Sequence, residues 1–156
     1  MTAKIWIAAA YHPAFRCGGW GYVRSQGDGQ AGGQRNTTAQ TMILTSLLAA
    51  LKDLPSGHVH IHTADAAFAR LVAKIAAGQP LLEKEAPTDN LPLWAQLTTA
   101  LTRHPPSFTL SQLTGFPGDP AAFAGAWADL AMDKAKATGP FTAAIPKPNL
   151  AKLKLD

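Results

Sequence analysis

Three histidines alternate with apolar residues in the segment His58-Val59-His60-Ile61-His62. Successive side chains of a β-strand point to opposite faces, so a strand here presents all three imidazoles on one face. Imidazole binds transition metals, which makes this face a candidate metal site. Neither a fourth ligand nor an activating carboxylate can be assigned from the sequence. Local hydrogen bonding of the imidazoles explains the pattern more simply, and we predict no metal ligands.

Carboxylates are scarce and scattered. No acidic residue occurs between Met1 and Gly27. Asp65 stands just after the histidine segment, where a helix is predicted to begin, and Asp is a preferred N-cap residue. Capping requires no metal, so it is the role that we favour for Asp65.

A single cysteine, Cys17, rules out a disulfide within the chain. This is consistent with a reducing compartment. A hydrophobic content of 47% with 15% charged residues is typical of a folded domain. Apolar runs are shorter than the roughly 18 residues that a membrane span needs. We therefore expect a cytoplasmic protein.

The apolar periodicity predicts strands alternating with helices. The predicted strands are 5–9, 20–25, 34–36, 58–63 and 108–113. The predicted helices are 37–54, 65–77, 91–103 and 121–137, the last burying Phe123, Trp127, Leu130 and Ala131. The glycine-rich segment 27–34 is interpreted as a turn. This order predicts an α/β fold with a mixed five-stranded sheet, three strands antiparallel and two parallel, flanked by helices on both faces.

The net charge of +4 comes from the end of the chain. Residues 1–133 carry as many acids as bases, whereas residues 134–156 carry five lysines and one aspartate. We predict one domain over residues 1–138 and a basic tail with prolines and lysines over 139–156. Such a tail can contact phosphates, or it can simply keep the protein soluble.

Five motifs together resemble the bacterial type I ribonuclease H family over about residues 4–137. In chain order they are GGWGYV, NTTAQTMIL, HTADAAF, DNLPLWAQLTTAL and GAWADLA. The resemblance implies the ribonuclease H-like fold. It also implies an enzyme that cleaves the RNA strand of RNA/DNA hybrids. In that family, four carboxylates hold the two divalent metals used in the reaction.

The positions of those four carboxylates are largely occupied by other residues. The first-strand aspartate falls on Ala8, the first-helix glutamate on Ile43 and the last-helix aspartate on Ala128. The fourth-strand aspartate falls on Ala64 or Asp65, depending on the alignment. We therefore predict a pseudoenzyme in which no catalytic set is intact and Asp65 is the possible survivor.

Two further residues depart from the family pattern. Asp129 lies one residue out of register, and one residue on a helix turns a side chain by about 100°, so we expect it to point away from the site. Phe116 stands where the family has a loop histidine.

Nucleic-acid contacts are predicted at small polar groups and at cations. Thr38 and Gln40 match positions through which the family holds the hybrid backbone. The candidate nucleic-acid-binding residues are Thr38, Gln40, Arg16, Arg35, Lys147, Lys152 and Lys154. The four tryptophans have core-like spacing and are interpreted as packing residues.

Three functions remain open on the sequence. The one that we favour is a catalytically degenerate protein that binds RNA/DNA hybrid or duplex and needs no cofactor. The second is a protein-interaction module built on the same fold. The third is a weak ribonuclease H that depends on Mg²⁺ or Mn²⁺ and that Asp65→Asn abolishes.

Overall fold

The protein forms a six-stranded mixed sheet with helices on both faces. The computed structural model describes residues 2–84, 86–111 and 116–155. The strands are β1 (Ala3–His12), β2 (Cys17–Arg24), β3 (Asp28–Gln34), β4 (Val59–Thr63), β5 (Pro106–Leu110) and β6 (Phe141–Ala144). The helices are α1 (Ala39–Leu51), α2 (Ala66–Ala76), α3 (Leu91–Arg103), α4 (Pro120–Thr138) and α5 (Lys147–Leu150). Residues 112 and 113, predicted to end the fifth strand, lie outside the described residues.

The strand order is β5-β4-β1-β2-β3-β6. The β1, β2 and β3 strands form an antiparallel meander, and β4 and β5 continue from β1 in parallel. The predicted α/β class and mixed sheet are confirmed. No helix in the described part of the chain combines the length and apolar character of a bilayer span.

The sheet has six strands instead of the predicted five. The additional strand, β6, comes from the segment predicted as a tail and pairs antiparallel with β3. It occupies the β3 edge, which would otherwise present unpaired backbone groups. Beyond it, Ile145 and Leu150 are buried in the core below α4, and the Ile145 amide donates to the Gly29 carbonyl at 3.0 Å.

The glycine-rich segment forms β3, and its interpretation as a turn was wrong. Gly27, with φ of 94°, makes the turn from β2, and the following glycines lie inside the sheet. A Cβ atom on Gly33 would lie 2.6 Å from the Ala131 carbonyl oxygen of α4, and one on Gly19 would lie 2.1 Å from that of Ala128. These glycines allow the α4 backbone to rest directly on the sheet.

The buried face of α4 is made of small residues. Pro120, Ala124, Ala128, Ala131 and Ala135 are buried, whereas Leu130 is 59% exposed. Of the residues predicted to be buried, Ala131 is buried as predicted, and the prediction for Leu130 was wrong. Larger side chains are excluded from the contact because the helix lies so close to the glycines of β2 and β3.

The opposite face of the sheet carries the main hydrophobic core. It packs β1, β2 and β4 against α1, α2 and α3, and Trp20 and Trp94 are buried within it. The predicted bounds of α3 match the observed Leu91–Arg103. Trp6 is buried on the α4 side, so these three tryptophans serve packing as predicted.

Candidate functional site

A cavity of about 410 Å³ opens where the parallel strands β1 and β4 end. In open α/β sheets the carboxyl ends of strands are where ligand sites form. The walls of the cavity are mainly apolar. The β1 strand contributes Ala8, Ala9 and Ala10, and α1 contributes Ala39 and Ile43. The two carboxylates that line it are those of Asp65 and Asp129.

Asp65 acts as the N-cap of α2. Its Oδ1 accepts a hydrogen bond from the Phe68 amide at 3.0 Å, and its own amide donates to Thr63 Oγ1 at 3.1 Å. The capping role that we favoured is observed. Asp65 lines the cavity, and one oxygen of its carboxylate is already hydrogen-bonded at the start of α2.

Asp129 lines the cavity, contrary to the expectation that its side chain turns away. The rotation of α4 explains the difference. The small face of α4 points to the sheet and leaves Ala128 fully buried, so Gly125 and Asp129 lie toward the cavity. Ala128 is fully buried, so an acidic side chain at that position would be enclosed between α4 and the sheet.

Polar and basic residues gather where β1 turns into β2 and α4 ends. Arg35 donates to the last carbonyls of α4, from Nε to Ala135 at 2.9 Å and from Nη2 to Lys136 at 2.8 Å. The Arg16 carbonyl accepts from the Thr37 amide at 3.0 Å, which joins this turn to the start of α1.

The two small polar residues at the start of α1 are structurally engaged. Thr38 Oγ1 caps α1 by accepting from the Thr41 amide at 3.1 Å. Gln40 Oε1 accepts from Asn90 Nδ2 at 3.3 Å. Both residues are exposed, so they remain accessible beside Arg16 and Arg35.

The lysines near the end of the chain lie at the other end of α4. The Lys154 amide donates to the Gly118 carbonyl at 2.9 Å, just before α4 begins. Lys152 belongs to the same segment, and Lys147 begins α5. Since α4 has 19 residues, about 28 Å separates its two basic ends. The predicted residues thus form two groups near opposite ends of α4, the helix that contributes Ala121, Gly125 and Asp129 to the cavity.

Comparison with known proteins supplies the fold family. The sequence matches no family model. It matches no curated protein. The structure is similar to the N-terminal ribonuclease H domain of a Mycobacterium tuberculosis protein, solved as a fusion with maltose-binding protein. The TM-score is 0.64 with 16% sequence identity, over 87% of this chain and 96% of that one. The fold is that of ribonuclease H.

The ribonuclease H fold raises the question of a two-metal centre, and the cavity does not fit one. Two hard cations require a cluster of oxygen ligands that clamps both of them. The cavity supplies Asp65, which caps a helix, and Asp129, whereas Ala8 and Ile43 carry no oxygen in their side chains. Among the described residues no group of three or more His, Cys, Asp or Glu is arranged to hold a metal.

The three histidines are engaged in local contacts. Both ring nitrogens of His60 are hydrogen-bonded, Nδ1 to Ser107 Oγ and Nε2 to Thr109 Oγ1, each at 2.6 Å. His62 stacks on Trp6, with ring centroids 4.8 Å apart. These contacts agree with the interpretation that the imidazoles hydrogen-bond and pack within the sheet.

His62 makes the stability of the protein sensitive to acid. Burial lowers its pKa to about 4, and the positive charges of His60 and Lys4 act in the same direction, against Asp119. Its Nε2 is buried and has no hydrogen-bond partner among the described residues. Protonating His62 in the folded protein is therefore unfavourable.

We expect the free energy of unfolding to fall as the pH drops from 6.5 to 4. In this window the unfolded chain binds a proton at His62 and the folded protein does not; the cost is at most about 3 kcal/mol, and solvent screening of this half-exposed ring reduces it to on the order of 1–2 kcal/mol. His62→Phe retains the stack on Trp6 and removes the titration. Urea unfolding across this pH range should show a flatter profile for the variant; equal slopes would exclude His62 as the cause.

Proposed function

We propose that this protein binds nucleic acid, as RNA/DNA hybrid or duplex, through a ribonuclease H fold and does not cleave it. The observation that carries this proposal is the cavity at the ends of β1 and β4. Alanines and Ile43 form most of its walls, and two carboxylates reach it, one of which caps α2. A site of this composition offers fewer oxygen ligands than the two cations of phosphodiester hydrolysis by this fold need, which supports binding without cleavage.

The arrangement of the cations supports nucleic acid as the partner. Arg16 and Arg35 lie at one end of α4 and Lys152 and Lys154 at the other, about 28 Å away. Duplex nucleic acid carries phosphates at regular intervals over such a distance. The cation groups can therefore contact one backbone at two separated points. The balanced charge of residues 1–133 favours modest, salt-sensitive affinity.

The proposal places the protein in the cytoplasm, where its single buried Cys17 remains a free thiol. It requires no cofactor. A protein-interaction role would instead use an exposed apolar surface and would be insensitive to nucleic acid.

Fluorescence anisotropy with a labelled RNA/DNA hybrid tests the proposal. We expect micromolar affinity that weakens as salt increases. The double variant Lys152→Ala/Lys154→Ala should lower the salt dependence by about one to two released counterions, because each phosphate contact contributes about one. Lys84→Ala, which removes one positive charge from the segment between α2 and α3, should bind like the wild type.

A native gel and a denaturing gel of the same reaction with Mn²⁺, the first for the complex and the second for cleavage, separate the remaining functions. Intact RNA beside a shifted complex supports the proposal. Cleavage that Asp65→Asn or Asp129→Asn abolishes would establish a weak nuclease instead. Absence of any shift at low salt would favour the protein-interaction module.

A further inference from the structure

Phe15 is an aromatic side chain held out in solvent at the turn between β1 and β2. Its side chain is 57% exposed. The next residue, Arg16, has φ of 52°, and its carbonyl accepts from the Thr37 amide at 3.0 Å. This hydrogen bond fixes the tip of the turn against the chain entering α1. The exposed ring is therefore presented by an anchored turn.

The Lys136 ammonium and the His12 imidazole both contact this ring. Lys136 Nζ lies 3.9 Å from the ring centroid, and the carbonyl of Lys136 is held by Arg35 at 2.8 Å. His12 contacts the ring at 4.9 Å with the planes tilted by 57°. Arg16 adjoins Phe15 in sequence and is exposed. The first 27 residues contain no acid that would neutralise this turn.

An exposed ring that contacts a lysine and is followed by an exposed arginine matches the chemistry of single-stranded nucleic acid. Proteins that hold unpaired strands stack bases on aromatic side chains and place cations along the backbone. Every base has a π-face, so such stacking tolerates sequence variation. A paired base inside a duplex is already stacked on its neighbours and is not free to stack on Phe15.

We infer that Phe15 is a stacking platform for an unpaired base on the ring face opposite Lys136, with Arg16 placed to contact an adjoining phosphate. This inference rests on the proposed function and adds a substrate class to it: hybrid or duplex that ends in a single strand. The start of α1, with Thr38 and Gln40, lies next to the same turn. The double-stranded part can then lie along α4 while its unpaired end reaches Phe15.

Two labelled probes test the inference with the purified protein. One is a blunt RNA/DNA hybrid of about 12 base pairs, and the other is the same hybrid with a short thymidine overhang. The wild type should bind the overhang probe more tightly. Phe15→Ala should weaken that complex by about tenfold and leave the blunt complex within about twofold, as expected for one lost stacking contact.

Two further variants make the result specific. Phe15→Trp keeps an aromatic face and should retain the preference for the overhang. Leu110→Ala removes an apolar side chain of similar exposure, 54%, from β5 and should bind both probes as the wild type does. Thermal unfolding of each variant verifies that the fold is kept.

The outcomes distinguish this inference from the proposed function. If the wild type binds neither probe, the proposed function fails and the inference fails with it. If the wild type binds but Phe15→Ala leaves the overhang preference intact, or weakens both probes equally, the stacking role of Phe15 is refuted while nucleic-acid binding stands.

Discussion

Replacing Gly19 by alanine is expected to lower the free energy of unfolding by at least about 3 kcal/mol. The new Cβ atom would lie 2.1 Å from the Ala128 carbonyl oxygen and 2.4 Å from the Met132 amide nitrogen. Both atoms belong to the α4 backbone, so no side chain can rotate to make space. The helix must move away from the sheet, and chemical denaturation of the purified variant measures the cost.

The same substitution at Gly125 is the matched control. Gly125 lies within α4, and a Cβ atom there would meet nothing within 4 Å. Alanine lowers the conformational entropy of the unfolded chain and favours the helix, so Gly125→Ala should stabilise the protein by about 1 kcal/mol. Equal effects of the two substitutions would contradict the close contact between α4 and β2.

Replacing Arg24 by alanine is expected to destabilise the protein by about 3 kcal/mol. Arg24 is 9% exposed, and its guanidinium makes a forked ion pair with Asp28 across the β2–β3 turn. It also donates to the Lys52 carbonyl at 2.9 Å, beyond the end of α1. Its loss leaves Asp28 and a helix terminus without a partner, and urea unfolding at neutral pH reports the change.

Arg35 provides the comparison for Arg24. Arg35 also donates to carbonyls at the end of a helix, but its side chain is exposed. Among the described residues it forms no ion pair with an acid. Arg35→Ala should therefore cost about 1 kcal/mol. An Arg24→Ala effect as small as this would show that its ion pair is weak despite burial.

The α/β class and the order of elements could be predicted because the apolar periodicity is local. The spacing of Trp94, Leu97 and Leu101 fixed α3 to its observed bounds, with Pro92 near the start and His104-Pro105 after the end. The same local reasoning wrongly assigned the glycines of β3 to a turn. Glycine favours turns locally, whereas here it is required by contact with a helix about one hundred residues later, and that contact is invisible to a short window.

The candidate site was partly predictable. The motifs predicted that Ala8 and Ile43 belong to the site, and both residues line the cavity. The position of Asp129 did not follow, because the rotation of α4 depends on which of its faces meets the glycines. The run of small residues Ala124, Ala128, Ala131 and Ala135, spaced by three and four, was the signal that could have located the buried face.

The β6 strand covers the β3 edge of the sheet with a short strand. It is four residues long and lies between Pro140 and Pro146, neither of which offers an amide hydrogen. Without it, the flat and glycine-rich β3 would form the border and could template pairing with other chains. A short proline-bounded strand offers little to such pairing. We therefore expect β6 to reduce self-association through the β3 edge of the sheet.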